Sequence, residues 1–555
     1  MPKSNATNLS PEQLRVTESK RYFNSSFETD NLGLRAYFGN VVKGQSRNYT
    51  VATFAKGIPT STLLDSWKSI LKSIEDRWPS LYEYEIDLAN KVGPMSIELP
   101  LEERMDDIDA YYDGVLLPSK PLSDEAVAAF MREWSRLGGL RVRSQAHTLE
   151  VMRKSTNSGS PYFTKRRHVV NKTVPCNVYC DLERGIVTQE LPGGDYTAAA
   201  VLGWRGQEGG PSEQDVKQRV VWMFPFAVNL QELRVYQPLI EGAQKSRLVP
   251  AWVSMDEVDR RITDMFDTKS SDDLVICTDF SKFDQHFNFQ LSSTVSSLLR
   301  KLFKGDAECE SWLDSIFPIK YMIPLAYNWE KVRFGVHGMG SGSGGTNADE
   351  TLAHRVLQYE AAILAGAKLN LNSQCLGDDG VLTYPGITVD DVVTAYTSHG
   401  LEMNPDKQYA SKDDCTYLRR WHHKDYRING ICAGVYSTMR ALGRLRYLER
   451  RPDAATWTDE AIVLRELSIL ENCKYHPLRE EFLDYVISRD KLKLGLAVPH
   501  FYSDLKRTAM KLLAEMPDFL GYVRANMSES TGPAYGIESW WVVQAMKDRA
   551  KSRNR

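Results

Sequence analysis

Three aspartates stand at places in the sequence where a carboxylate could bind a metal ion. Asp279 ends the apolar run VICTD, and Asp378 and Asp379 fill the turn of a predicted hairpin, LGDDG. A carboxylate beside buried strand residues is costly to desolvate unless it holds a cation. Oxygen ligands without a nearby His or Cys favour a hard cation such as Mg²⁺, which binds through carboxylates and substrate phosphates. Two such ions about 4 Å apart would support in-line phosphoryl displacement, the chemistry of nucleotidyl transfer.

Short apolar runs and turn residues predict the elements that would position these aspartates. The run DDLVICTDF has the length of a buried strand, and the helix candidate FQLSSTVSSLLRKLF follows it. The segment NWEKVRFGVHGMGSGSGGT predicts a strand and a glycine loop. The helix NADETLAHRVLQYEAAILAG comes next, with Gly366 as its C-cap. Helix-rich ends flank this mixed centre, which predicts an α+β protein.

The composition bounds the class of protein. A length of 555 with 42% apolar and 25% charged residues indicates a globular chain of about three or four folding units. No apolar run reaches the roughly 18 residues of a membrane span, and the opening MPKSNATNLSPEQ is too polar for a signal peptide. The eight cysteines are scattered, and Cys176 and Cys180 with His168 lack a fourth zinc ligand at the usual spacing. We therefore expect a soluble, non-secreted protein with reduced thiols.

The net charge of −3 argues against a nucleic-acid partner, but the distribution of charge argues for one. Ten Lys or Arg stand between Arg132 and Lys172, against two acidic residues. Five arginines follow between Arg440 and Arg451, and the tail KDRAKSRNR is a third basic cluster. This distribution suits a channel that binds a polyanion inside a near-neutral exterior. Each cluster taken alone is also explained by a solvated charged helix face.

Two other functions remain open at this stage. Gly340, Gly342 and Gly345 satisfy G-x-G-x-x-G, and Glu360 lies at a tolerable distance for a ribose carboxylate, which would fit a dinucleotide-binding oxidoreductase. No initial βαβ unit precedes that loop, which argues against this hypothesis, and no P-loop signature occurs. The second alternative is a non-catalytic RNA-binding capsid component, which would tolerate neutral residues at 279 and 378.

The order of four motifs resembles that of viral RNA-dependent RNA polymerases. The strings DFSKFD (279–284), GMGSGSGGT (338–346) and LGDD (376–379), followed by Lys407, resemble motifs A, B, C and D of that family. Any one of these strings is a weak signal, and their order is the stronger one.

Three further strings extend the resemblance. KQRVVWMFP (217–225) resembles motif F, STNSGSP (155–161) resembles motif G, and CTYLRRW (415–421) stands where motif E belongs. The strings VVWMFP and KFDQHF are similar to picobirnavirus polymerases, close to those of partitiviruses. Seven motifs in the expected order over residues 155–421 are very hard to obtain by chance, and the flanking regions are assigned by position.

The resemblance implies an α+β right-hand polymerase, with helix-rich fingers and thumb around an antiparallel palm sheet and an encircled active site. It implies four regions. Residues 1–60 would form an N-terminal extension that bridges fingers and thumb, and residues 61–270 with 286–335 would form the fingers. Residues 271–285 with 336–428 would form the palm, and residues 429–555 the thumb with a basic tail. The implied partners are an RNA template, nascent RNA, ribonucleoside triphosphates and a viral capsid protein, without a membrane. The implied location is the virion interior and the host cytoplasm, where a double-stranded RNA genome is copied.

The resemblance also assigns roles to the acidic residues. Asp279 and Asp378 would bind two Mg²⁺ or Mn²⁺ ions, and Asp379 would assist them. Asp284 would accept a hydrogen bond from the ribose 2′-hydroxyl, as a carboxylate can. The alternative for Asp284 is a helix-start residue on a solvated face.

The glycine loop and the helix after it would contact the nucleotide. Ser341 and Thr346 match the motif B serine and threonine, whose hydroxyls would hold ribose and template near the ions. Glu350 stands where many related polymerases have an Asn that reads the ribose, and Asn347 could substitute for it. Whether Asn347, Asp349 or Glu350 faces the nucleotide stays open, because a capping role at the helix start is equally compatible.

Three basic residues would act on the triphosphate. Lys217 and Arg219 would offset the charge that develops on the pyrophosphate. Lys407 would protonate the departing pyrophosphate, or lie exposed on a loop. The alternative for Lys217 and Arg219 is the alternation of a half-exposed strand.

Four small residues would line the template path, namely Ser158, Gly159, Pro161 and Gly342. Gly342 lacks a side chain and so permits close approach. The basic segment 132–172 would assist, and turn chemistry alone also explains Ser158, Gly159 and Pro161.

Overall fold

The computed structural model describes residues 19–50, 53–515 and 536–553. The chain divides into two compact units. The first comprises residues up to 44, 99–204 and 220–415, and the second comprises 45–98, 205–219 and residues from 416 onwards. This division is based on contacts within the chain, and the four-region division into extension, fingers, palm and thumb stays a prediction.

The helices of the first unit confirm the helices predicted around the three aspartates. The predicted helix after the apolar run is Phe289–Leu302, and its N-cap Asn288 accepts hydrogen bonds from the backbone of Gln290 and Leu291. The helix after the glycine loop is Thr346–Leu364, and Gly366 follows it with φ of +69°. The other α-helices of this unit are Ser19–Ser26, Leu32–Lys43, Met105–Asp113, Asp124–Glu133, Gln145–Val151, Val170–Thr173, Phe226–Lys245, Pro250–Val253, Met255–Thr268, Phe283–His286, Ala307–Ser315 and Val389–Thr397.

An antiparallel sheet of four short strands contains the predicted strand and the predicted hairpin. We call it the central sheet, and its order is Tyr409–Ser411, Val275–Thr278, Asp379–Leu382, Gln374–Leu376. All four residues of Val275–Thr278 are buried, because a strand covered on both faces needs an apolar run rather than an alternating pattern. The hairpin Gln374–Leu382 confirms the prediction from LGDDG.

The helix Thr346–Leu364 is buried along most of its length, with 15 of its 19 residues inaccessible. Its buried polar side chains therefore require partners in the protein. Gln358 donates to the backbone oxygen of Gln374 at 2.9 Å, and Arg355 donates to that of Ser373 at 2.7 Å. These bonds attach the hairpin of the central sheet to the helix.

A second four-stranded sheet includes most of the string KQRVVWMFP (217–225). Its order is Lys217–Met223, Ala200–Gln207, Leu325–Asn328, Lys331–Arg333, and Ala200–Gln207 pairs with Leu325–Asn328 in parallel. The remaining strands form two three-stranded sheets and one two-stranded sheet. The three-stranded sheets consist of Asn177–Asp181, Ile186–Leu191 and Gly194–Thr197, and of Asp414–Tyr417, Arg420–His423 and Val435–Tyr436, and the two-stranded sheet consists of Arg427–Ile428 and Ile431–Cys432.

The second unit is mainly helical around its own apolar core. Its α-helices are Thr60–Leu71, Pro79–Ala89, Thr438–Arg446, Asp459–Glu471, Arg479–Arg489, Leu505–Glu515 and Trp541–Arg553. The buried carboxylate of Glu85 accepts hydrogen bonds from the backbone of Thr438 and Met439, at 2.7 and 3.2 Å, and so caps one of these helices. Among the described residues, none of the helices combines the length and hydropathy of a bilayer span.

Two of the five arginines between Arg440 and Arg451 pair with acidic residues of the second unit, and a third bonds to its backbone. Arg440 donates to Glu208 at 2.8 Å, and Arg444 lies within 3.8 Å of Glu208 and 3.6 Å of Glu449. Arg446 donates to backbone oxygens of residues 54 to 58. The charge of these arginines is therefore used within the unit, which favours the structural explanation over a polyanion-binding surface for these residues.

Candidate active site

The pairing of two strands brings the acidic segments together. In the register of the central sheet, Gly380 lies opposite Thr278 in the last pair, so Asp379 and Asp279 both adjoin this pair at the same end of the two strands. Asp378 directly precedes Asp379 and lies in the turn. The three aspartates, which are up to 100 positions apart in the chain, thus lie at one end of the central sheet.

A tight turn presents Asp378. Leu376 and Asp379 are partners, so the turn contains only Gly377 and Asp378. Gly377 has φ of +59°, and Asp378 is not among the residues with positive φ. This is the pattern of a two-residue type II′ turn, which requires Gly at its first central position. Asp379 belongs to the strand, so the structure assigns one aspartate to the turn where the sequence predicts two.

Gln408 fixes the other acidic segment. Its side-chain amide donates to the backbone oxygen of Asp279 at 2.9 Å, and its carbonyl accepts from the backbone N–H of Asp279 at 2.7 Å. Gln408 is buried and directly precedes the strand Tyr409–Ser411. These two bonds give the backbone of Asp279, just past the end of Val275–Thr278, side-chain partners in place of a neighbouring strand. Sequence reasoning missed Gln408, because a single Gln after a predicted loop carries no recognisable pattern.

The donor set of the site fits a hard cation. Asp279 and Asp378 are exposed and Asp379 is half-buried, so solvent reaches all three residues. Over residues 19–50, 53–515 and 536–553, no three His, Cys, Asp or Glu side chains are grouped as metal ligands. The ligand set of three aspartates therefore stays a prediction. Two carboxylates are nevertheless enough for Mg²⁺, which takes its other ligands from water and substrate phosphates.

The glycine loop is held against the strand Lys217–Met223. A Cβ on Gly342 would lie 1.7 Å from the backbone oxygen of Trp222, so only glycine fits there. The Ser341 hydroxyl accepts a hydrogen bond from the backbone N–H of Trp222 at 3.0 Å. The Thr346 hydroxyl donates to the backbone oxygen of Gly340 at 3.0 Å. The predicted nucleotide contacts of Ser341 and Thr346 stay predictions, and both hydroxyls already hold the loop in shape.

A buried carboxylate, that of Glu232, forms hydrogen bonds with the glycine loop. Glu232 accepts hydrogen bonds from the backbone N–H of Gly344 at 3.1 Å, from the Ser343 hydroxyl, and from Asn229 at 3.0 Å. Burial raises the pKa of Glu232, and the charge of Lys320 partly offsets that rise. Sequence reasoning missed Glu232, since it lies more than 100 residues before the loop in the middle of a helix.

The structure distinguishes the three candidates for reading the ribose. Both carboxylate oxygens of Asp349 accept from buried tyrosine hydroxyls, Tyr236 and Tyr321, at 2.6 Å each, and Lys320 lies 3.1 Å away. Asp349 is therefore a core residue. Asn347 and Glu350 instead border the aspartate turn.

Asn347 and Glu350 lie beside Gly377, the glycine of the aspartate turn. A Cβ built on Gly377 would lie 3.4 Å from a Glu350 oxygen and 3.7 Å from the Asn347 side-chain nitrogen. The Asn347 side-chain oxygen accepts from the Trp252 indole at 2.8 Å. Asn347 is exposed beside the turn, whereas Glu350 is only 5% exposed and Asp349 is fully buried.

Asp284 lies in the short helix Phe283–His286, which follows Lys282 in the left-handed region at φ of +53°. The alternative hypothesis placed Asp284 at a helix start on a solvated face. Asp284 does lie at a helix start, but it is only 7% exposed, so the prediction of a solvated face is wrong. Its backbone oxygen accepts from Met339 at 2.8 Å, and a Cβ on Gly338 would lie 2.3 Å from that oxygen. Asp284 is thus packed against the glycine loop.

The predicted template-contact residues form a compact turn. Ser158 is buried, and its hydroxyl accepts from the backbone N–H of Thr164 at 3.1 Å. Gly159 has φ of +59°, and a Cβ there would lie 2.7 Å from the backbone oxygen of Phe224. The peptide bond before Pro161 is cis. These contacts explain Ser158 and Gly159 as turn residues, and the role of all three residues at the template stays a prediction.

The predicted triphosphate contacts are exposed. Lys217 and Arg219 alternate with less exposed residues at the start of their strand, as the alternative reading expects. Lys407 is exposed at the end of the 3₁₀ turn Pro405–Lys407, next to Gln408. Their roles in catalysis stay predictions.

The remaining alternatives lose support from the positions of their residues. Glu360 is buried, accepts from the backbone N–H of Ser123 at 2.7 Å and faces His399, so it does not serve as a ribose carboxylate. Cys176 is buried among glutamine side chains and contacts Gln231. Cys176 is therefore a core thiol, which is the role that the sequence favours over that of a zinc ligand.

A sequence profile described as "Viral RNA-dependent RNA polymerase" matches residues 127–430, more than half of the chain. The chain belongs to the viral RNA-dependent RNA polymerases. It is 58% identical over 526 residues to the "Potential RNA-dependent RNA polymerase" of Human picobirnavirus (strain Human/Thailand/Hy005102/-), covering 94% of this chain and 98% of that protein. The predicted resemblance to picobirnavirus polymerases is confirmed.

Solved polymerase structures match the fold. The crystal structure of the RNA-dependent RNA polymerase of a human picobirnavirus is 57% identical, with a TM-score of 0.90. The insertion loop deletion mutant of such a polymerase is 56% identical, with a TM-score of 0.89. Each comparison covers 95% of this polymerase and 99% of the other chain. The fold class is therefore the predicted α+β right-hand polymerase, and the chain is an RNA-directed RNA polymerase.

Proposed function

We propose that this polymerase transfers ribonucleoside monophosphates to an RNA 3′-end on an RNA template by two-metal catalysis, replicating and transcribing the genome of a double-stranded RNA virus. The observation that carries the proposal is the pairing of Val275–Thr278 with Asp379–Leu382, which brings Asp279 and Asp379 to the same end of the paired strands, beside Asp378. An exposed pair of carboxylates on a rigid sheet is the arrangement that two-metal transfer needs.

Asp279 and Asp378 would hold Mg²⁺ or Mn²⁺ ions, with Asp379 assisting. Bound ions would activate the 3′-hydroxyl and neutralise charge on the triphosphate. The protein's own contribution is position. The buried strand, the type II′ turn and the amide of Gln408 fix the backbone of both aspartates before substrate arrives, so little reorganisation is needed during the reaction.

Other residues of the chain would act directly on the nucleotide. Asp284 would accept a hydrogen bond from the 2′-hydroxyl, and Asn347 would contact the sugar beside the aspartate turn. Lys217 and Arg219 would bind the triphosphate with charged donors. Lys407, on an exposed turn where a flexible ammonium can reach a ligand, would donate a proton to the leaving pyrophosphate.

The partners follow from the same proposal. Template and nascent RNA would bind near Ser158, Gly159, Pro161 and Gly342, assisted by the basic segment 132–172. We further propose that the enzyme works with a viral capsid protein inside the virion and in the host cytoplasm. The support for these settings is the similarity to picobirnavirus polymerases.

The proposed function is tested with purified protein, a defined RNA template, four ribonucleotides and Mg²⁺. The expected product is RNA complementary to the template, formed only when the template and Mg²⁺ are both present. Template-independent addition, or synthesis that persists after chelation of Mg²⁺, would contradict the proposal. Capture of a nicotinamide cofactor by a protein that makes no RNA would favour the oxidoreductase alternative.

Discrimination between ribose and deoxyribose tests the role of Asp284. We expect Asp284→Ala to relax discrimination against deoxynucleotides by roughly 10- to 100-fold, since a hydrogen bond to a charged group contributes about 1.5–3 kcal/mol. The measurement is the ratio of kcat/KM for a ribonucleotide and its deoxynucleotide in single-nucleotide addition. Asp124→Ala, at the exposed start of another helix, is the control. An unchanged ratio in Asp284→Ala would remove Asp284 from sugar recognition.

A further inference from the structure

Both backbone polar groups of Gly377, the residue before Asp378, are held by one helix. The backbone N–H of Gly377 donates to the Thr351 hydroxyl at 2.9 Å. The backbone oxygen of Gly377 is 2.8 Å from Nδ1 of His354. Because a carbonyl oxygen only accepts, Nδ1 of His354 must carry the hydrogen. Thr351 and His354 thus supply one acceptor and one donor to the same turn residue.

Both side chains are fixed by burial. Thr351 is 1% exposed and His354 is 0% exposed. The rings of Phe280, Phe283 and Tyr396 lie 5.4, 6.1 and 6.0 Å from the His354 ring, centroid to centroid. On the sheet side, a Cβ on Gly380 would approach the imidazole to 2.6 Å, so the glycine makes room for the ring. The imidazole is therefore enclosed and has little freedom to move away from Gly377.

The helix that carries Thr351 and His354 also carries residues that border the aspartate turn. Thr351 and His354 are three positions apart, so they lie on the same face of Thr346–Leu364. The same helix begins at Thr346, directly after the glycine loop, and contributes Asn347 and Glu350 to the border of the turn. A rigid helix therefore connects the loop to the turn that presents Asp378.

We propose that Thr351 and His354 are positioning residues that set the place of the Asp378 carboxylate relative to the glycine loop. This inference rests on the proposed function, in which Asp378 binds a metal ion. Neither side chain touches substrate. They act through the backbone N–H and C=O of Gly377, and their loss would let the turn shift while the sheet stays paired.

The variants separate hydrogen bonding from packing. Thr351→Val removes the acceptor at nearly constant volume, and Thr351→Ser restores a hydroxyl. His354→Leu removes the donor, and His354→Asn keeps an N–H donor near the position of Nδ1. The matched control is Thr383→Val, because Thr383 is a buried threonine at the opposite end of the same hairpin and donates to the backbone oxygen of Leu274 at 2.7 Å.

Kinetics give the first readout. In single-nucleotide addition we expect Thr351→Val and His354→Leu to lower kcat roughly 10- to 100-fold, since a displacement of about 1 Å at a reacting group can cost that much. The nucleotide KM should change little, and Thr351→Ser and His354→Asn should recover most of the rate. Thr383→Val should keep the wild-type kcat.

Two readouts do not need catalysis. Hydrogen exchange of the Gly377 amide should be faster in Thr351→Val than in wild type or Thr383→Val, and Mn²⁺ binding followed by electron paramagnetic resonance should weaken in Thr351→Val and His354→Leu. Wild-type protection of Gly377 together with wild-type Mn²⁺ affinity in Thr351→Val would overturn the inference, even if His354→Leu does not fold. A wild-type protein that makes no RNA would refute the proposed function, and exchange and Mn²⁺ binding would still decide the positioning role.

Discussion

Asp378→Asn is expected to lower the rate of nucleotide addition by about a thousand-fold or more. The substitution keeps the size of the side chain but removes a negative ligand. A metal ion supplies several kcal/mol of charge stabilisation, and each 1.36 kcal/mol is about a factor of ten in rate. Asp378 is exposed in a turn, so the free energy of unfolding should stay close to that of wild type. The measurement is the single-turnover rate on a primed RNA template at saturating nucleotide.

A matched control exists within the chain. Asp390 belongs to another Asp-Asp pair and is exposed at the start of the helix Val389–Thr397. Asp390→Asn should keep the wild-type rate. If Asp378→Asn and Asp390→Asn polymerise equally well, Asp378 is not a metal ligand, and the proposed arrangement of the acidic residues is wrong.

Gly342→Ala is the substitution with the second largest expected effect. Its Cβ would lie 1.7 Å from the backbone oxygen of Trp222, and that backbone cannot move aside as a flexible side chain could. Overpacking of this kind costs roughly 1–3 kcal/mol in the free energy of unfolding. The displaced loop should also lower kcat/KM for nucleotide by roughly 100-fold. Chemical denaturation and steady-state kinetics on the same preparation measure both effects.

Gly39→Ala provides the comparison for Gly342→Ala. Gly39 lies within the helix Leu32–Lys43, has no atom within 4 Å of a built Cβ, and adopts ordinary helical backbone. Alanine is the better helix former by about 1 kcal/mol, so this variant should be at least as stable as wild type and fully active. Full activity and stability in Gly342→Ala would mean that the loop does not pack against Trp222 as described.

Local patterns made the acidic end of the central sheet predictable. The run VICT predicts a buried strand from its apolar residues, and LGDDG predicts a hairpin from its turn residues. Both elements are confirmed, at Val275–Thr278 and Gln374–Leu382. Their mutual register was not predictable, because antiparallel pairing across some 100 residues depends on the whole core rather than on either segment.

The residues that hold the site were missed for the same reason. Gln408, Glu232, Thr351 and His354 each bond to the backbone of a motif, and none belongs to a string that identifies the family. Their function depends on where distant segments meet. For Glu232, Thr351 and His354, a polar residue inside a helix pattern was the available signal, and it does not identify the partner; Gln408 gave no such signal.

Helix phase explains the open question around Glu350. Asp349 and Glu350 are adjacent in sequence but point about 100° apart on a helix. The sequence does not fix which of them faces the core. Packing of Tyr236, Tyr321 and Lys320 around Asp349 decides it, and leaves Glu350 at the aspartate turn.

The most direct test of the central claim is a crystal of the polymerase with RNA, a non-hydrolysable nucleotide and Mn²⁺. The measurement is the anomalous difference density of manganese. We predict a peak within ligand distance of both the Asp279 and the Asp378 carboxylates, and its loss in Asp378→Asn. Manganese bound elsewhere, with neither carboxylate as a ligand, would contradict the account.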